Sequence, residues 1–168
     1  RALMGDAEVT DYLNALGARL VANSQESTRS FEFFVIRDST LNAFALPGGF
    51  IGVHTGLMLS AQSESELASV LAHEISHVTQ RHLARVIAGT QKNMLTSLAA
   101  LAVAILAARS NPQVANAAVA TAQATGIQSQ LDYTREHERE ADRIGLQVLN
   151  SSGFDPRAMA DFFGRMQK

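Results

Sequence analysis

The sequence predicts a mainly helical α+β fold with a small β-sheet of about three short strands. Its 168 residues include only 3 Pro and no Trp and are rich in alanine and leucine, which favours helices. Three short segments rich in β-branched and aromatic residues lie in the first third of the chain, and amphipathic segments flank them. The length suits one domain, residues 1–168. The sequence has helical patterns at both ends and shows neither an initiator Met nor a signal-peptide pattern, so we expect a fragment of a longer protein.

The predicted elements of the first half follow from local patterns. Residues 6–22 place apolar side chains at helical spacing behind Asp6, a candidate N-cap. The predicted strands are residues 31–37, 42–46 and 49–54, with a turn at 47–49. Ser63 and Glu66 match a capping box, and the apolar face that follows predicts a helix to about Ala88.

Most of the second half is predicted to be helical. Helices are expected over 113–131 and 135–150, and a last one after Asp155 and Pro156. Within 94–108, the apolar run from Leu98 to Ala108 has 11 residues, fewer than the roughly 20 that cross a bilayer. We expect 94–108 to be a buried helix or a flap over the active site, with an interfacial membrane segment as the alternative.

Charge and composition exclude several classes of protein. The 14 basic and 16 acidic residues are interspersed and give a net charge of −2, so no basic stripe for nucleic acid is present. The chain contains no cysteine, which excludes disulfides and thiolate ligands. A transition-metal site would therefore need histidine and carboxylate ligands.

One motif predicts such a site. His73, Glu74 and His77 form an H-E-x-x-H pattern on a predicted helix. Positions i and i+4 of a helix differ by about 40° in direction, so both imidazoles can reach one metal ion. Glu74 projects about 100° away from His73, where its carboxylate can reach a water on the metal. The pattern therefore predicts a zinc site with Glu74 as the base.

The third ligand is expected from the charged segment 135–142. Glu138 and Asp142 share a helical face, so Glu138 is predicted as the ligand and Asp142 as the acceptor for a ligand histidine N–H. A solvated, salt-bridged helix face is the alternative for this segment. The competing ligands are His137, expected at the surface or rim, and His82 and His54, expected in the core or at the surface.

Together these motifs resemble the HtpX- and BepA-type metallopeptidases, the gluzincin family that includes the CAAX prenyl endopeptidases. The resemblance is closest to the BepA-like branch, because the chain lacks clear membrane-spanning helices. Besides the H-E-x-x-H helix, the matching segments are residues 42–49, 79–82, 138–145 and 153–156.

The resemblance implies a zincin-like metallopeptidase domain whose sheet packs on the active-site helices. It implies one Zn²⁺ per chain and hydrolysis of peptide bonds in polypeptide substrates, such as misfolded or unassembled envelope proteins. It also implies a periplasmic location, with contact to the membrane surface or to the outer-membrane assembly machinery. A zinc-binding chaperone or scaffold for outer-membrane assembly, with latent proteolysis, is the alternative.

Substrate is expected to bind as an extended strand beside the edge 42–46, with Asn42, Ala43 and Phe44 as candidate contacts, a prediction that rests on the strand assignment and on the resemblance. The residue that stabilises the oxyanion is left open among Tyr133, Arg135 and His82.

Overall fold

The structure, a computed structural model, describes residues 7–108 and 112–166. Its elements are α1 (Ala7–Ala22), β1 (Glu32–Ile36), β2 (Ala43–Leu46), β3 (Phe50–His54), α2 (Thr55–Ser60), α3 (Glu64–Thr79), α4 (His82–Ala108), α5 (Pro112–Ser151) and α6 (Arg157–Met166). The predicted α+β class, mainly helical with three short strands, is confirmed. The predicted Asp6 N-cap lies outside the described residues. None of the helices in the described part of the chain combines the length and the apolar character needed to cross a membrane.

The three strands form one mixed sheet in the order β1-β3-β2. β1 runs parallel to β3, and β2 pairs antiparallel with β3 so that Ala45 lies opposite Ile51. The turn between β2 and β3 contains Gly48 at φ 95° and Gly49 at φ 92°. Only glycine adopts these angles readily, which is why the glycine pair closes this hairpin.

Helix α1 covers part of the free edge of β1. The Asn14 amide of α1 donates to the Phe33 carbonyl at 2.8 Å and accepts the Phe33 N–H at 3.0 Å. These bonds satisfy the outer backbone groups of β1 at that residue. β2 is the other edge strand of the sheet.

The core lies between one face of the sheet and helices α1 and α3. Phe33, Val35, Ile51 and Val53 are buried on that face, because alternate residues of a strand point to the same side. A Cβ atom added at Gly17 of α1 would overlap the Phe33 ring. Glycine is therefore what lets α1 approach the sheet so closely.

The beginning of helix α3 agrees with the sequence prediction, and its end does not. Ser63 caps it by accepting the Glu66 N–H at 3.2 Å, as predicted. The Glu66 carboxylate accepts from Gln62 N–H at 2.7 Å, one residue earlier than a capping box requires. The predicted extension to Ala88 is wrong: α3 ends at Thr79, and Arg81 adopts a left-handed φ of 54° before α4 begins.

The chain divides into two compact units, residues 1–81 with 139–168 and residues 82–138. The boundary crosses α5, which is one continuous helix from Pro112 to Ser151. The first unit holds the sheet, α1, α2, α3, α6 and the end of α5. The second unit consists of α4 and the beginning of α5.

In the second unit, the segment predicted to be buried is exposed. Residues 94–106 are helical, as expected, but among them only Ala104 is buried. The large apolar side chains of this stretch are 47–70% exposed. The expectation of a buried helix is therefore wrong for these residues, because the neighbouring part of α5 is rich in alanine and glutamine and offers few large side chains to cover them.

Candidate metal centre

Helix α3 brings the two histidines of the motif together. His73 and His77 lie one turn apart, their ring centroids are 4.7 Å apart, and their Nε2 atoms are 2.9 Å apart. The geometry predicted from the i, i+4 spacing is thus present. His73 is 8% exposed, so its imidazole is held largely out of solvent by the surrounding helices.

The other ring nitrogen of His73 contacts helix α5. Its Nδ1 lies 2.9 Å from Asp142 Oδ1. A carboxylate accepts hydrogen bonds, so Nδ1–H is the donor and the lone pair of Nε2 is left facing His77. This is the contact expected of Asp142, and it is a common way to orient a metal-binding histidine.

A glycine of α5 permits this contact. A Cβ atom added at Gly145 would lie 3.1 Å from the backbone nitrogen of His73 and 3.2 Å from the carbonyl of Ala72. These are backbone atoms, which cannot turn away as a flexible side chain would. Sequence reasoning did not identify Gly145 as a site residue, although a glycine three residues after Asp142 on a helix was a signal for close packing.

Glu138 lies one helical turn before Asp142 on the same face of α5. Ligand atoms of His73, His77 and Glu138 lie within 4.8 Å of one another. Glu74 is partly buried, next to His73 on α3. Two imidazole nitrogens and one carboxylate oxygen form the donor set of a catalytic zinc site with an open position. The residues present therefore fit a zinc ion.

The three competing histidines belong to no metal-binding group of this kind among the described residues. His137 was expected at the surface or rim and is instead 3% exposed. Its ring stacks on His82 at 4.3 Å within the second unit. His54 is buried as well, and its Nδ1 lies 2.7 Å from the Thr40 hydroxyl. The position of a single histidine in the sequence does not show which side chain it stacks against, so the burial of His137 was not predictable.

The candidate substrate strand β2 presents alternate backbone groups on its two sides. The Asn42 carbonyl accepts the His54 N–H at 3.0 Å, so this pair is hydrogen-bonded. Hydrogen-bonded and non-hydrogen-bonded pairs alternate in an antiparallel ladder. Phe44 therefore pairs inward with Gly52, whereas the N–H and C=O of Ala43 and Ala45 face the outer edge. The sequence interpretation placed the substrate beside the edge 42–46, which includes Ala45, and named Asn42, Ala43 and Phe44 as its candidate contacts.

An H-E-x-x-H helix with a glutamate from a second helix is the arrangement of a metallopeptidase. The chain belongs to Peptidase family M48, whose profile matches residues 7–167. The expected family resemblance and the metallopeptidase class are thereby confirmed.

Several curated proteins are similar to the chain. It is 46% identical over 165 residues to the beta-barrel assembly-enhancing protease of Escherichia coli, covering 98% of this chain and 34% of that protein. It is 35% identical over 157 residues to the mitochondrial metalloendopeptidase OMA1 of Schizosaccharomyces pombe, covering 94% of this chain and 44% of that protein. Metalloprotease LoiP of Escherichia coli is 29% identical over 163 residues, 95% of this chain and 58% of that protein. The chain thus spans about a third of the beta-barrel assembly-enhancing protease.

Proposed function

We propose that this chain is the catalytic domain of a zinc-dependent endopeptidase that cleaves unfolded or unassembled envelope proteins in the periplasm. The observation that carries the proposal is the convergence of His73 and His77, whose Nε2 atoms are 2.9 Å apart. Two lone pairs facing each other at this distance repel unless a cation or a proton lies between them. The nearby carboxylate of Glu138 favours the cation.

Zinc is the metal that best suits these donors. The site would offer two imidazoles and one carboxylate, with Asp142 fixing the tautomer of His73. Calcium and magnesium prefer oxygen ligands, which argues against them. We propose one zinc ion per chain, held by His73, His77 and Glu138.

Glu74 is proposed as the base. When bound, zinc polarises the scissile carbonyl and lowers the pKa of water to near neutrality. Glu74 removes a proton from the attacking water while the water oxygen adds to the carbonyl carbon. The carboxyl group then delivers this proton to the amide nitrogen as the C–N bond breaks. The products are a carboxylic acid and an amine, and Glu74 returns to its ionised form.

Strand β2 is proposed to hold the substrate. The outward N–H and C=O groups of Ala43 and Ala45 can pair with the main chain of an extended peptide. Main-chain pairing carries little sequence information, and a folded protein rarely presents a free extended segment. This mode of binding would therefore select for unfolded chains.

The envelope substrates and the periplasmic location are supported by the relatives. The Escherichia coli relative is named a beta-barrel assembly-enhancing protease, and β-barrel assembly is a process of the outer membrane. We propose that the whole protein contacts the machinery for this assembly. A zinc-binding scaffold with latent proteolysis is the second candidate, favoured by the word "assembly" in that name.

The experiment is cleavage of an unfolded protein, such as casein, by the wild type and by Glu74→Gln. The variant should lose activity by about 10²–10⁴-fold, because the glutamine amide cannot accept the proton of the attacking water. Its zinc content should stay unchanged. Glu136→Gln, on the exposed surface of α5, is the matched control and should keep full activity. Wild-type activity in Glu74→Gln would refute the peptidase mechanism. If Glu74→Gln still restores outer-membrane assembly in cells that lack the protein, the scaffold function is the relevant one.

A further inference from the structure

The exposed side chains of α4 form a continuous apolar face. Met94, Leu98, Leu101 and Ile105 follow one another at intervals of three or four residues, and they lie within about 60° of one direction around the helix. Their exposed fractions are 63%, 52%, 47% and 59%. In a globular protein this spacing marks the side of a helix that packs into a core. On α4 this side of the helix is exposed to solvent.

Two more leucines widen this face. Leu95 is 70% exposed and Leu106 is 64% exposed. Both lie roughly 60–120° round the helix from the Met94–Ile105 stripe, on the same side of it. We call these six residues, from Met94 to Leu106, the apolar face of α4. A contiguous apolar patch of several hundred Å² marks an interaction site in a soluble protein.

The partner helix in the same unit does not cover the apolar face. A cleft of about 640 Å³ opens between α4 and α5, lined by Gly89 and Asn93 on one side and by Gly126 and Gln130 on the other. Large apolar residues of α5 in this unit are exposed too: Ile127 is 62% exposed and Leu131 is 48% exposed. The unit thus leaves large apolar side chains in solvent on both helices.

The charges of residues 82–131 indicate which kind of partner fits the apolar face of α4. Residues 82–131 contain no Asp or Glu, and their charged residues are Arg85, Lys92 and Arg109, although the chain as a whole carries a net charge of −2. Arg109 lies outside the described residues. Lys92 is exposed and lies about 60° round the helix from Leu95, at the border of the apolar face. An apolar helix face with a cation at its border and without acidic groups suits a helix that lies in an anionic membrane surface.

We propose that the apolar face of α4 docks onto a lipid bilayer that contains anionic headgroups. The leucines enter the boundary between headgroups and acyl chains, and Lys92 contacts the phosphates. A second copy of the chain fits this surface less well, because it would bring the same positive charges together. The proposal does not depend on the peptidase function, since none of these residues belongs to the metal centre.

The test is flotation of the whole chain with vesicles. The wild type is mixed with phosphatidylethanolamine and phosphatidylglycerol at a 3:1 ratio, and in parallel with phosphatidylcholine alone. The combined variant Leu95→Glu and Leu106→Glu replaces two exposed side chains, and light scattering and circular dichroism check that it remains folded. Leu59→Glu, at an 87% exposed leucine of α2 outside the second unit, is the matched control.

We expect the wild type and Leu59→Glu to float with the anionic vesicles, and the double variant to bind them at least about tenfold more weakly. Binding of the wild type to phosphatidylcholine should be several-fold weaker than to the anionic vesicles. The proposal is overturned if the wild type does not float, or if the double variant floats equally well. It is also overturned if a second copy of the chain covers the apolar face. In that case the wild type would be a dimer that does not bind vesicles, and the double variant would be a monomer.

Discussion

The hydrogen bond between His73 Nδ1 and Asp142 Oδ1, 2.9 Å long, joins the helix of the H-E-x-x-H motif to the helix that carries Glu138. It has two consequences for the proposed metal centre. It leaves the Nε2 lone pair of His73 available, and it fixes the plane of the ring.

Asp142→Ala should weaken metal binding by about 10–100-fold, because His73 then loses the acceptor that orients it. Asp142→Asn keeps an acceptor oxygen and should recover part of the affinity. The measurement is zinc transfer to a chelator of known affinity, with Gln147→Ala, an exposed residue of the same helix, as control. Equal affinity in Asp142→Ala and wild type would show that this contact does not serve the metal.

Gly145→Ala should destabilise the protein by about 1–3 kcal/mol, because the new methyl group meets the backbone of Ala72 and His73 at 3.1–3.2 Å. Gly126→Ala is the matched control on the same helix, where an added Cβ has no atom within 4 Å. That change should stabilise the helix by about 0.5–1 kcal/mol. Urea unfolding compares the two variants, and a stabilising Gly145→Ala would contradict the proposed close approach.

Ala45→Pro should raise KM for an unfolded polypeptide at least several-fold, because proline removes an outward N–H of β2. Ala45→Ser keeps that N–H and should bind substrate as the wild type does. Zinc content and thermal unfolding are measured for both variants to confirm that the site and the sheet are intact. If a folded, zinc-loaded Ala45→Pro cleaves with an unchanged KM, the substrate does not pair with this edge.

An ion pair holds α6 against the beginning of α3. The Arg165 guanidinium donates to both oxygens of Glu66 at 2.6 Å, which holds the pKa of that carboxyl below its usual value of 4.5 although burial acts in the opposite direction. A lowered pKa in the folded state contributes stability above pH 4.5, and this contribution is lost as the pH falls through the folded value.

Arg165→Gln should therefore lower the urea midpoint at pH 7, and its difference from the wild type should shrink as the pH falls below 4.5. Arg157→Gln is the control, because its partner Asp155 is at the surface with a side chain 45% exposed. Its effect at pH 7 should be smaller than that of Arg165→Gln. A difference that stays constant from pH 7 to pH 3 would mean that the Glu66 carboxylate is not what Arg165 stabilises.

Much of the fold and of the candidate site was predictable because it depends on local spacing. The H-E-x-x-H pattern places His73 and His77 on one face of any helix, and the i, i+4 relation does the same for Glu138 and Asp142. The strands were recognisable from their β-branched and aromatic residues and from the glycine turn between the second and third. These elements needed no knowledge of long-range contacts.

The features that were missed depend on tertiary structure. No glycine or proline marks the end of α3, so the helical pattern continued past Arg81, where the backbone turns left-handed. The apolar run of α4 was expected to be buried because apolar residues usually are, but the neighbouring part of α5 is rich in alanine and glutamine and offers few large side chains to cover it. The burial of His137 against His82 likewise depends on how two helices pack.

The central claim is that His73, His77 and Glu138 hold one zinc ion. The most direct test is the zinc content of protein purified without chelator or metal-affinity resin, measured by elemental analysis for the wild type, Glu138→Ala and Glu136→Ala. Glu136 is an exposed glutamate of the same helix and serves as the control. We predict about one zinc per chain in the wild type and in Glu136→Ala, and much less in Glu138→Ala. Zinc that is absent from all three proteins, or equally present in Glu138→Ala, would contradict the proposed centre.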